Sequence, residues 1–480
     1  MKTPFFDQIR IKIRPAWYIT QREVRDQFRD WRIIFPVVGL TLFFPFLMNF
    51  TAQQMLGFVQ KYGANIIAER LIPFLLMIVG FFPTSTSLVI ALETFVGEKE
   101  RGSIEPLLNT PLEDWQIYLG KLLSATVPPL LGSYLGMIVY LGGLVLKRIP
   151  LPEPDLLFLI IILTTVQAIM MVSGAVVVSS QATSVRSANL LASFIIIPVA
   201  LMIQGESVIM FWGYSYRMLW WAVFGLIILT ILLVRVGLAH FQREELLGRE
   251  IDILNFRWLW KTFAASFSMS ASNFFDWYRK LFKYLISIRV PIVLVTILTI
   301  AGIWIGIEQI KRFPVPLFMS GENDLEHNIQ TLLDFLPIFS VSPVLLIFWQ
   351  NLRVIIISFI LGTISLSILG MLPQILSMGV VGYLFSVFRA NAIPVDYFLA
   401  LVIPHGILEI PATIIATAVV LRSGALLATP TSEKTFGEVF ISTIGEWAAI
   451  IVGIVVPLLF LAALLEAWVT PGLALWIMGK

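Results

Sequence analysis

Three stretches of this 480-residue chain carry side chains able to do chemistry. The first is Glu98-Lys99-Glu100-Arg101-Gly102-Ser103-Ile104-Glu105, a run of alternating charge between two apolar segments. Charge of both signs at this density suits a contact with a soluble partner, and a solvated turn is the plainer alternative. Ser103 is placed to cap a short helix, with Pro106 in its first turn and Thr110-Pro111 at its end. The second is His405 and Glu409, four residues apart and so on one face of a continuous helix. Such a pair either carries a proton near neutral pH or fastens a helix interrupted by Pro404 and Pro411. The third is a set of small polar groups in apolar surroundings, Gln167, Ser173, Ser179 and Ser180. These either line a path or bind helices to one another.

Other chemistry is excluded or starved of residues. The chain has no cysteine, and its three histidines, His240, His327 and His405, are far apart. The only metal set in view, His405 with Glu409 and Glu466, counts too few ligands, so no metal and no catalytic residue is expected. A phosphate-cradling Walker A loop is missing. Gly120-Lys121 is followed by Leu122, and Trp115 stands where the loop needs its first glycine. The chain therefore brings no cofactor of its own, and any ATP-Mg belongs to a partner subunit. A net charge of +3 gives no basic patch for nucleic acid.

The elements that must position these residues are membrane helices. The chain is 58% hydrophobic and 13% charged, against about 25% charge in a soluble domain, and its mean hydropathy is +0.89. Long apolar runs without alternation point to an all-α polytopic membrane protein rather than a barrel. The charged N-terminus, broken by Pro4 and Pro15, is no signal peptide. Residues 1–32 hold eight cations and four acids. The helical spacing of Tyr18, Val24, Phe28 and Trp31 predicts an amphipathic helix on the cytoplasmic membrane face. Six spans are predicted at Ile33–Phe50, Leu71–Leu92, Tyr118–Leu146, Leu156–Ser180, Asn189–Ile203 and Leu219–Leu238. Residues 240–289 again carry a cationic excess, eight against five. By the positive-inside rule both basic segments are cytoplasmic. Further spans are predicted at Val290–Ile307 and near 343–371, 374–388, 397–421 and 444–468. The third of these four is broken by its prolines, and one of the set is a candidate for a re-entrant segment. The loop 308–337, with five acids and two cations, falls outside, as does the C-terminus. The domains are then 1–32 (interfacial helix), 33–250 (six spans), 251–285 (cytoplasmic linker) and 286–480 (about five spans).

The run ETFVGEKERGSIEPLLNTPLEDWQIYLGKLLSA (Glu93–Ala125) resembles the signature of type-2 ABC exporter permeases. The matching residues are Glu98, Glu100, Arg101, Gly102, Ser103, Ile104 and Glu105, then Leu107, Leu108, Thr110 and Pro111, then Gly120 and Lys121. Pro106 departs from the pattern. The stretch ITQREVRDQFRDWRIIFPVV resembles the family's interfacial helix, LAHFQREELLG its ending after span six, and the likeness covers roughly 17–250. It implies a segment between spans two and three (97–115) that docks on a separate ATPase through Glu98, Glu100, Arg101, Gly102, Ser103 and Glu105. It implies an assembly with two copies of that ATPase, built on a homodimer or on pairing with a second permease.

PHGILEIPA (Pro404–Ala412) and PLLFLAALLEAWVTP (Pro457–Pro471) resemble the stage II sporulation protein M family over about 285–475. They match at Pro404, His405, Gly406, Glu409, Glu466, Ala467, Thr470 and Pro471. Gln350-Asn351 and Met378-Gly379 depart from the family's asparagine pairs. The combined expectation is a multi-pass inner-membrane permease subunit of an ATP-driven exporter, substrate unknown, with no enzymatic activity of its own. Two alternatives stand beside it: an envelope scaffold that borrows ABC architecture, and a proton-coupled transporter using His405 and Glu409.

Overall fold

In the computed structural model of the chain, residues 5–62, 65–182, 184–212, 216–241, 256–314, 341–391, 393–429 and 436–477 are described. His327, most of the acidic loop around it and residues 242–255 of the second basic segment lie outside them. Among the described residues every regular element is helical, and ten helices are long and apolar enough to cross a membrane. The chain divides into two compact units, Met1–Leu254 with Ala428–Pro430, and Asn255–Leu427 with Thr431–Lys480.

In the first unit, α1 (Phe5–Gln27) precedes α2 (Trp31–Tyr62), α3 (Asn65–Glu100), a single turn α4 (Glu105–Leu108), α5 (Asp114–Leu146), α6 (Pro154–Gln181), α7 (Val185–Trp212) and α8 (Leu219–His240). The interfacial helix ends earlier than its spacing suggests. Phe28 and Arg29 lie in a turn, and Trp31 already opens α2. The face of α1 turned inward is Ala16, Ile19 and Thr20, while Trp17 and Tyr18 are exposed. It is seated on α5 at Gly120, where an added Cβ would stand 2.9 Å from the Ala16 carbonyl. Thr20 donates to the Gly120 carbonyl (3.1 Å) and Gln116 to that of Lys12 (2.8 Å). The spans are stitched by small polar groups, as expected where lipid supplies no hydrophobic drive between helices. The Ser179 hydroxyl of α6 accepts the Phe95 and Val96 amides of α3, and Ser133 of α5 donates to Gly80.

The second unit opens with two short amphipathic helices, α9 (Phe256–Phe267) and α10 (Phe274–Ser287), in part of the stretch read from sequence as a linker. Asn273 caps α10 through its side chain, and Leu281 and Ile288 are fully buried in the unit's core. Helices α11 (Arg289–Gln309), α12 (Val341–Ile364), α13 (Leu372–Ala390) and α14 (Val395–Leu427) follow. The last span runs unbroken from α15 (Phe436–Ile450) through a π-helical stretch, Ile451–Val455, to α16 (Val456–Leu464). A second π stretch, Leu465–Val469, leads to α17 (Thr470–Ile477). Two expectations are corrected. α14 is one continuous helix through Pro404 and Pro411, which a span tolerates when its surroundings satisfy the freed carbonyls. The span near 343–371 stops at Ile364, where Leu366 and Ser367 adopt positive φ and Ser367 bonds the Val420 carbonyl. α11 and α13 touch backbone to backbone, because a Cβ on Gly306 would overlap the Gly379 carbonyl.

Candidate functional site

The charged run closes α3, and its geometry divides the residues expected to act together. Two hydrogen bonds and one backbone dihedral end the helix. Ser103 N–H donates to the Glu98 carbonyl (2.9 Å), Gly102 N–H donates to that of Lys99 (3.1 Å), and Gly102 has φ +68°. This is a Schellman cap, with glycine at the one position that must be left-handed. Ser103 therefore does not cap the next helix. Ile104 stands at that N-cap, without a side-chain bond, and Pro106 fits the first turn of α4. Ile104 and Leu107 are buried and hold the turn down, which leaves Arg101, Gly102, Ser103 and Glu105 facing outward.

Glu98 points the other way. Its carboxylate is 2.8 Å from Lys121 Nζ of α5, a fully buried ammonium. Glu23 of α1 lies 3.7 Å from the same nitrogen, the Thr94 carbonyl accepts from it at 3.2 Å, and the Phe95 ring lies 5.4 Å away. Burial pushes the Glu23 carboxyl above its ordinary value, and Lys121 only partly opposes this. Glu100, though exposed, accepts the first amide of α7 (Val185 N–H, 2.7 Å), a favourable end for a carboxylate. Arg101 reaches Glu93 at 3.6 Å on the exposed side. Lys121 thus joins α1, α3 and α5, and Glu100 joins α3 to α7. The sequence placed Lys121 in a motif but gave no sign that it is the buried partner of Glu98.

Residues 17–215 match the family model of ABC-2 family transporter proteins, and residues 291–471 match that of stage II sporulation protein M. The chain is a fusion of these two domains. No curated protein and no solved structure matches it. The charged site belongs to the ABC-2 domain, so the chain is a multi-pass membrane permease of ABC type. Families of that kind usually work with an ATPase subunit.

Within the ABC-2 domain, Gln167 and Ser173 do not act alike. Ser173 is buried and spends its hydroxyl on the Ile169 carbonyl of its own helix. Gln167 donates to Glu206 of α7 at 2.5 Å. Both are buried, and the second oxygen of Glu206 has no partner among the described residues. Glu206 escapes a sequence reading because Gln204-Gly205-Glu206 looks like the end of the fifth span, whereas α7 continues to Trp212. In the sporulation-protein-M domain, the unbroken α14 sets His405 and Glu409 on one face. The terminal span adds Glu466, so that one ligand atom from each of the three lies within 4.8 Å of the others. Thr470 is 3.4 Å from His405 Nδ1, and Asn351 of α12 hydrogen-bonds Glu409. The ligand set that looked too sparse in the sequence is assembled in space.

Proposed function

We propose that the chain is the membrane subunit of an ATP-driven exporter and that residues 97–115 are where its ATPase docks. The observation that carries this reading is the division of the charged run. Arg101, Ser103 and Glu105 are displayed, while Glu98 and Glu100 tie the same turn to α1, α5 and α7. A force applied at the displayed turn is delivered to four helices, because ion pairs and hydrogen bonds with buried partners resist rearrangement. The reading includes two chains with two ATPases, ATP-Mg held by the ATPase, and a cytoplasmic N-terminus. With six spans and then five, the C-terminus falls on the opposite side. The domain limits 33–250 and 286–480 belong to this reading.

The test is affinity purification of the tagged full chain from its native membranes, with and without Arg101→Glu and Glu105→Arg together. A Walker-containing ATPase should accompany the wild type at equal stoichiometry and be lost from the variant, while the variant's melting temperature stays unchanged. Recovery of the same ATPase with a folded variant overturns the docking site. Hydrolysis that ignores a variant unable to dock overturns the coupling.

A further inference from the structure

We propose that His405, Glu409 and Glu466 bind a divalent transition-metal ion of the zinc type within the sporulation-protein-M domain. The ligand atoms come from two antiparallel spans and already lie within 4.8 Å of one another. A tetrahedral zinc with bonds of about 2.0–2.2 Å sets its ligands about 3.3 Å apart. Small rotations of three half-buried side chains close that gap. An imidazole with two carboxylates is a donor set that suits zinc, manganese or iron(II) and disfavours a soft monovalent metal.

The second observation is the shell around the ligands. Thr470 donates its hydroxyl hydrogen to the Leu465 carbonyl (3.1 Å), so toward His405 Nδ1 it can only accept. With the proton on Nδ1 in that contact, Nε2 keeps its lone pair free, as a metal-binding histidine requires. Asn351 donates its side-chain amide to the Glu409 carboxylate. Charge supplies the third argument. Two carboxylates stand together at membrane depth, and among the described residues neither forms a salt bridge with a lysine or arginine. Such a pair must share a proton or hold a cation. The imidazole beside them, with its free nitrogen, favours the cation. Glu466 also lies in the π stretch Leu465–Val469, a distortion frequent at functional sites. Three protein ligands leave a fourth position open.

Counting residues from the helix ends places the site. His405 is ten residues into α14 and Glu466 seven residues before the apolar stretch ends at Leu473. Both lie toward the same end of this bundle, roughly 10–15 Å from it at 1.5 Å per residue.

The test uses the full chain purified in detergent, stripped with a chelator and dialysed against zinc chloride, with bound metal counted by mass spectrometry. Wild type should retain about one zinc per chain, with cobalt(II) giving a tetrahedral d–d spectrum. His405→Ala and the near-isosteric Glu466→Gln should each weaken binding tenfold or more. His240→Ala with His327→Ala should retain the metal. Where a ligand variant fails to fold, the wild type decides, since zinc must raise its melting temperature in a saturable way. A monodisperse wild type that retains no zinc and shows no such shift overturns the proposal, and the carboxylates then share a proton.

Discussion

Both domains gather ionisable groups from separate helices, and they settle the charge in opposite ways. In the ABC-2 domain the cation is covalently part of the chain. Lys121 is fully buried between Glu98 and Glu23. In the sporulation-protein-M domain no lysine or arginine among the described residues pairs with the carboxylates, and Glu409, Glu466 and His405 face one another. A built-in ammonium makes a permanent joint, because each partner would be stranded without the others. A cluster without its own cation is conditional on what binds there.

The largest blow to this contrast is Lys121→Met. It should destabilise the chain by about 3 kcal/mol, the lower end for breaking a buried pair, because Glu98 keeps some contact with solvent. Thermal unfolding of the purified protein reads this directly, and a melting temperature equal to wild type would show that the joint is ornamental. Adding Glu23→Gln and Glu98→Gln to Lys121→Met should recover about 2 kcal/mol, since a neutral cluster strands no charge. Glu466→Gln should have the reverse sign. In the presence of chelator it should stabilise by about 1 kcal/mol, because a neutral amide beside Glu409 needs no shared proton to avoid like-charge repulsion. A loss of stability in chelator would make the second cluster as self-contained as the first. Gly102→Ala tests the turn rather than its charges and should cost about 1 kcal/mol, the price of a left-handed residue with a Cβ.

The smallest effect separates two carboxylates outside the spans. Burial raises the Glu23 carboxyl, so its favourable contribution is present below the ordinary value of 4.5 and fades as pH rises through the folded-state value. Asp276 at the start of α10 behaves oppositely. The Ser272 amide and Lys280 lower its carboxyl, so its contribution is present above 3.8 and fades as pH falls. Between pH 4.5 and neutrality, wild type should lose more thermal stability than Glu23→Gln. Parallel curves would remove Glu23 from the joint.

Much of this was legible in the chain. Apolar runs and cationic flanks located the spans, and the spacing of His405 and Glu409 put them on one face because helical periodicity is local. What escaped depends on contacts distant in sequence. Nothing around Lys121 announces a partner at Glu98 on another helix. Glu206 lies past the apparent end of a span, and its partner Gln167 is thirty-nine residues away. Ser103 has a cap's composition, but it closes the preceding helix through its amide and the next helix begins at an Ile104 N-cap. The prolines of α14 looked like breaks because proline rules drawn from water overstate their effect among packed spans.

The two π stretches give the last span a property beyond holding Glu466. Each lodges one residue more than an α-helix of the same rise would take. Wound instead as α-helix with the same residues, the stretch Ile451–Val455 would swing everything beyond it by about 100°. Glu466 and Thr470 would then leave His405 together, while the upstream half kept its contacts. The last span is therefore a register device, in which one residue lodged in a π turn decides whether two halves of a site meet or miss.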